Sequence, residues 1–84
     1  MVESICRVCG LSEDDERWAR TDRPQYVICS CCGAESGVDD LDLKSVRAYR
    51  SKWIAAGSAW FYPGERPADW QPDRQMRGLP TAWR

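Results

Sequence analysis

A small α+β fold is the class this sequence predicts, on three observations. Two elements, Cys6-Arg7-Val8-Cys9-Gly10 and Cys29-Ser30-Cys31-Cys32-Gly33, share the spacing C-x-x-C-G. Residues 42–57 carry apolar side chains at helical spacing between a capping Asp42 and a terminating Gly57. The last third holds three of the five tryptophans and four of the five prolines. Together these describe β-hairpins carrying two cysteine knuckles on one metal ion over residues 1–37. One amphipathic helix and a wrapped, Trp-rich tail with a short helix follow over 38–84, all packed as a single compact domain.

The first knuckle follows a short β-like lead-in over residues 2–10, and the second follows Tyr26-Val27-Ile28, which has strand composition after a turn at Asp22-Arg23-Pro24. A glycine after the second cysteine of each pair serves a tight turn that needs a positive φ and presents backbone N–H groups toward thiolate sulfur. Between the knuckles, Glu13, Asp14, Asp15 and Glu16 read as a solvated loop, with contact to a basic partner as the alternative. Trp18 is expected to pack back on the knuckles.

In the helix, Leu43, Val46, Tyr49, Trp53, Ile54 and Ala56 form the apolar stripe. Arg50 falls inside it, about 40° from Val46 on a wheel of 100° per residue. Its stem is therefore expected to be buried and its guanidinium to pair with a carboxylate, with Asp39, Asp40 and Asp69 as candidates. In the tail, Pro72 opens a short helix through Arg77 and Gly78 ends it. The aromatic residues enlarge a small core, or else Trp60, Phe61 or Trp70 stays exposed to anchor a partner protein.

At 84 residues an apolar core alone gives marginal stability, and a bound metal commonly supplies the remainder. Five cysteines, an odd count, with no leader-like or membrane-spanning segment, point to a soluble cytosolic chain whose paired thiols are metal ligands rather than disulfides. There is no histidine, which excludes Ser-His-Asp and Cys-His catalysis and histidine metal ligation. Net charge is −1, with seven acids against four bases up to Gly37 and eight bases against six acids after it. Nucleic acid therefore meets little broad positive potential.

Cys6, Cys9, Cys29 and Cys32 are read as the ligands of one structural Zn²⁺, with Fe as the alternative metal. Pairing Cys31 with Cys29 instead would lose the alignment on Gly33, so Cys31 reads as a space-filling thiol. Four protein sulfurs leave no coordination position for water or substrate, so enzymatic activity is not expected.

The elements "CRVCG", "YVICSCCGAESG" followed by "DD", "YRSKWIAAGSAWF" and "PADWQPDRQM" resemble those of bacterial zinc-ribbon proteins. They resemble more closely a group of small cysteine-rich bacterial proteins sharing a Cys-Pro-Cys-Cys element, from which Ser30 departs where that element has proline. The resemblance implies a zinc ribbon and an immunity or regulatory partner in a bacterial toxin system. Four functions follow for testing. The first is a protein-binding module using Asp14, Asp15 and the tail aromatics. The second is an electron carrier similar to rubredoxins, which also set two such knuckles around one iron. The third is a nucleic-acid-binding ribbon using Lys44, Arg47, Lys52, Arg74 and Arg77. The last is a thiol oxidoreductase, which metal occupancy would silence.

Overall fold

A computed structural model describes residues 2–20 and 22–84. Regular strand pairing is brief: β1 (Trp18–Arg20) runs antiparallel to β2 (Arg23–Pro24), with Trp18 opposite Pro24 and Arg20 opposite Arg23. Glu3 bridges to Trp18 on the other side of β1. The strand expected at Tyr26–Ile28 is reduced to one bridge, Ile28 to Glu35. Tyr26 has φ 55, outside the extended region, and this breaks the strand before it can pair. Proline in β2 lacks an N–H for a further ladder bond, so the sheet stops there.

The main helix, α1 (Leu43–Ala55), begins where the sequence placed it, because the Asp42 carboxylate accepts from Ser45 N–H at 2.7 Å. It ends in a Schellman turn. Gly57 N–H donates to Ile54 O at 3.0 Å and Ser58 N–H to Trp53 O at 2.9 Å, with Gly57 at φ 100. The buried face is narrower than the apolar stripe. Val46 and Trp53 are buried and Tyr49 and Arg50 half-buried, but Ile54 is 46% exposed and Ala56 is exposed. Ile54 lies about 80° from Val46 on the wheel, at the stripe's edge, and Arg50 takes the central position instead.

After α1 the chain forms two single 3-10 turns, Pro63–Glu65 and Thr81–Trp83, on either side of α2 (Pro72–Met76). The Cα radius of gyration, 11.7 Å, matches the ~12 Å of a packed chain of this length, so the tail lies on the body rather than trailing from it. The Thr81–Trp83 turn packs against α1. Trp70 stands between two other indoles, 6.3 Å from Trp53 and 5.4 Å edge-on to Trp60. Trp60 is only 8% exposed. Its ring is packed in the core, so of the three aromatics named as anchors Trp60 is not the exposed one. Trp70 is half-buried, whereas Phe61 and Tyr62 are about half exposed and pack edge-to-face at 4.9 Å.

The core itself is the cysteine cluster with Val8, Ala34, Val46, Trp53 and Trp60. A second buried cluster is polar. Arg7, 2% exposed, donates to both Glu3 carboxylate oxygens (2.8 and 2.7 Å) and to Asp40 O (3.0 Å). Its guanidinium carbon lies 3.8 Å from the Trp18 ring centre and 4.1 Å from that of Trp83. Trp18 Nε1 and Gly37 N–H in turn donate to the fully buried Asp40 carboxylate. The solvated-loop reading holds for Asp14, Asp15 and Glu16, which are exposed, while Glu13 turns inward and accepts from the Ser30 hydroxyl.

Candidate metal centre

The two knuckles are built alike, each position of the first recurring 23 residues later, as Cys6 does at Cys29. Cys6 N–H donates to Leu11 O (2.8 Å) and Gly10 N–H to Cys6 O (3.0 Å). Cys29 N–H donates to Ala34 O and Gly33 N–H to Cys29 O, both at 2.9 Å. Single bridges from Ile5 to Ser12 and from Ile28 to Glu35 close the bases. The glycines turn the chain at φ 85 and φ 81, which L side chains reach only with strain. Their N–H groups go to the first cysteine's carbonyl, not to sulfur, so the turn is closed by backbone alone.

The rest of the protein holds these turns by their apices. In the first knuckle the carbonyls of Arg7 and Val8, between the two cysteines, accept from Arg50 Nη2 (2.9 Å) and Nε (2.6 Å). In the second, the corresponding carbonyls of Ser30 and Cys31 accept from the backbone N–H groups of Tyr62 and Phe61, both at 2.9 Å. Gln75 Nε2 donates to Cys9 O at 3.1 Å and reaches Cys31 Sγ at 3.4 Å, while its Oε1 accepts from Trp70 Nε1. Tyr49 OH donates to Cys32 O at 3.0 Å. Burial, then Cys32 and Asp39, push Tyr49 up to about 12, so it remains a neutral donor at neutral pH.

These supports bring Cys6, Cys9, Cys29 and Cys32 together with all four Sγ within 4.8 Å of one another. Between the knuckles, Cys6 Sγ lies 3.6 Å from Cys32 Sγ, and Cys9 Sγ 3.6 Å from Cys29 Sγ. A tetrahedron of sulfurs about 2.3 Å from a central ion has edges of about 3.8 Å, so the donor set fits one tetrahedral metal. All five cysteines are free thiols and buried. Cys31 stands outside the cluster at the position equivalent to Val8, and both are fully buried.

Electrostatics point the same way. Hydrogen bonds from Cys29 and Cys32 pull the Cys6 thiol well below the ordinary thiol range. Hydrogen bonding to Cys29 and Cys6, reinforced by burial, pushes Cys32 far above it. One thiolate is supported, and ionising the rest needs a cation among them. Arg17 is 3% exposed and donates through Nη2 to Ala34 O (3.0 Å), at the base of the second knuckle, while its Nε has no partner among the described residues. Burial works to lower the Arg17 pKa, yet Cys6, Cys29 and Asp40 outweigh it and hold it raised. A buried guanidinium in the field of Cys6 and Cys29 suits an anionic metal–thiolate centre better than four neutral thiols.

The carboxylate expected for Arg50 is not there. Among the described residues no acidic group lies within ion-pair distance of it, and Asp39 and Asp40 are engaged by Glu35 N–H and by Gly37 and Trp18. Its guanidinium is satisfied by the carbonyls of Arg7, Val8 and Trp83. Arg17, Gln75 and Tyr49 are further supports that the sequence did not reveal, because each acts through a backbone carbonyl and carries no spacing signature.

The turn glycines give a test of this packing. Gly10→Ala would put a Cβ 2.6 Å from Gln75 O, a backbone atom, whereas Gly33→Ala meets Phe61 Cδ1 at 2.7 Å, on a half-exposed ring able to swing away. Both carry the left-handed penalty of about 1–2 kcal/mol. Gly10→Ala adds overpacking of about 1–3 kcal/mol. Urea denaturation of the two metal-loaded variants should therefore rank Gly10→Ala as clearly the less stable.

No protein-family model, curated protein or solved structure matches the chain. The structure contains a four-cysteine cluster able to hold a metal ion, beside one main helix and a two-strand antiparallel pair. No helix among the described residues is long and apolar enough to cross a membrane.

Proposed function

We propose that the chain is a non-enzymatic protein-binding module whose knuckles form a zinc ribbon stapled by one structural Zn²⁺. The observation that carries this reading is the closed donor set: four buried thiols converge at tetrahedral spacing. Cys6, Cys9, Cys29 and Cys32 would hold the ion, and the ion would supply cross-linking rather than a reactive position. The rest of the chain grips the knuckles through Arg50, Gln75, Tyr49 and the backbone of residues 61–62, so a rigid centre would fix the surface around it.

That surface offers a partner protein the exposed Phe61–Tyr62 pair beside a cleft lined by Cys32, Tyr49, Lys52 and Trp53, and elsewhere the exposed acids Asp14 and Asp15. Paired aromatics held by backbone hydrogen bonds lose little entropy on binding. An immunity or regulatory partner in a bacterial toxin system is the most concrete form of the reading and rests on the resemblance of the cysteine elements. Nucleic acid is less well served. Lys44, Arg47, Lys52, Arg74 and Arg77 are exposed, but the indoles of Trp53, Trp60, Trp70 and Trp83 are packed on the core rather than free to stack on bases.

Affinity purification from the native cell with metal analysis on the same sample tests the whole reading. A colourless protein with one zinc per chain and a stoichiometric protein partner, released by the double variant Phe61→Ala, Tyr62→Ala, is the expected result. A red protein that bleaches on reduction would replace zinc with iron and electron transfer. Tight single-stranded DNA or RNA binding at low salt would move the function to nucleic acid.

A further inference from the structure

Arg50 poses a problem of charge. Its guanidinium is half-buried on the core side of α1, and among the described residues no carboxylate pairs with it. The other two arginines near the knuckles differ: Arg7 is neutralised by the Glu3 carboxylate at 2.7 Å, and Arg17, at the base of the second knuckle, lies in the field of Cys6 and Cys29 but also of the buried Asp40 carboxylate. Carbonyl oxygens satisfy Arg50's donors but carry no net charge to oppose it. Those carbonyls belong to Arg7 and Val8, the two residues between ligands Cys6 and Cys9. This places the cation one or two residues along the chain from two of the four sulfurs. Burial, then Arg47, press the Arg50 pKa down, and the opposing pull comes from Cys6, Cys9 and Cys32.

We infer that Arg50 is the counter-ion of the metal–tetrathiolate centre on its first-knuckle side, a positioning residue that ties metal occupancy to the docking of α1. This rests on the metal-module reading above. A divalent ion with four thiolates carries two negative charges, and a cation held against the first knuckle offsets part of that charge where water does not screen it. Metal binding displaces the thiol protons and so creates that charge beside the knuckle that Arg50 holds. Occupancy and docking therefore strengthen each other by the same factor, as linkage requires. The second knuckle uses the amides of residues 61 and 62 at the same two carbonyls, so it has hydrogen bonds but no cation there, and the coupling runs through the first knuckle.

The test uses the full chain as wild type, Arg50→Gln and Arg50→Lys, each loaded with zinc and, separately, with iron. Zinc affinity is read by competition with a chromophoric chelator and the iron reduction potential by titration with dithionite. Arg50→Gln should weaken zinc by about 10–100-fold, the usual effect of removing a group that supports a ligand. It should also move the iron potential to more negative values, since the ferrous centre carries one more negative charge than the ferric. Arg50→Lys, which keeps the charge but not the fork, should leave the potential at the wild-type value. Unchanged affinity and potential in Arg50→Gln would overturn the inference, as would equal shifts in both variants. Should Arg50→Gln give no folded protein, Arg50→Lys decides alone, with a wild-type potential supporting the counter-ion role and a negative shift overturning it. Failure of the wild type to take up any metal would instead remove the metal-module reading itself.

Discussion

Stripping the metal, or replacing any one of Cys6, Cys9, Cys29 and Cys32 by serine, is expected to abolish the cooperative thermal transition and the near-ultraviolet dichroism of the tryptophans. Structural zinc contributes on the order of 10–16 kcal/mol in finger peptides near neutral pH, as much as the whole stability of a small domain. Sheet structure adds little to this: among the described residues regular strand pairing is limited to Trp18–Arg20 with Arg23–Pro24, and the four ligand thiols are themselves part of the core. Cys31→Ser should keep one metal per chain, because Cys31 lies outside the cluster. A stripped protein with undiminished dichroism and melting temperature would contradict the metal-centred account.

The pH dependence has a defined sign. The Cys32, Cys29 and Cys9 thiols are raised in the metal-free fold. Metal uptake must therefore displace protons, and affinity rises with pH. The metal-loaded protein already holds thiolates, so alkaline pH should leave it stable while acid releases the ion. Proton release on zinc addition, measured in weakly buffered solution, checks the first statement. Melting curves and metal content of the loaded protein across the acid and alkaline ranges check the second.

Arg7→Ala is expected to be the most damaging change outside the ligands, at about 3–5 kcal/mol, because it leaves the Glu3 carboxylate without its partner next to a buried cluster. It also removes the cation from between the rings of Trp18 and Trp83 and a donor from Asp40 O. Arg7→Lys should recover only part of the loss, since an ammonium group cannot bind both carboxylate oxygens and stack flat between two indoles at once. Urea denaturation of metal-loaded variants, with metal content measured in parallel, separates this effect from ligand loss.

The sequence announced some of these features and concealed others for physical reasons. Metal-ligand spacing is local, so the two C-x-x-C-G elements could be read directly, and caps are local too, so Asp42 and Gly57 mark the ends of α1. Arg50 is anomalous within the apolar stripe, but its acceptors are carbonyls, which every residue possesses and no residue type advertises. Periodicity placed Ile54 inside although it lies at the edge of a face centred on Val46 and Trp53. Tryptophan composition is the same for core and anchor, so only the packing of Trp60 against Trp70 settles its place. The Arg7 sandwich joins the local pair of residues 3 and 7 to residues 18, 40 and 83, separations at which no local pattern exists.

The matching pairs of apex carbonyls, one met by a side chain and the other by main-chain amides, make the two halves of the molecule unequal in what variation can reach. Any amino acid except proline brings an amide to residues 61 and 62, so drift in side chains there alters the outer surface while its attachment persists. A single codon change at residue 50 removes the side chain that meets the opposite pair. Diversity can thus accumulate around Phe61 and Tyr62, where recognition would be tuned, without disturbing the anchor beneath them.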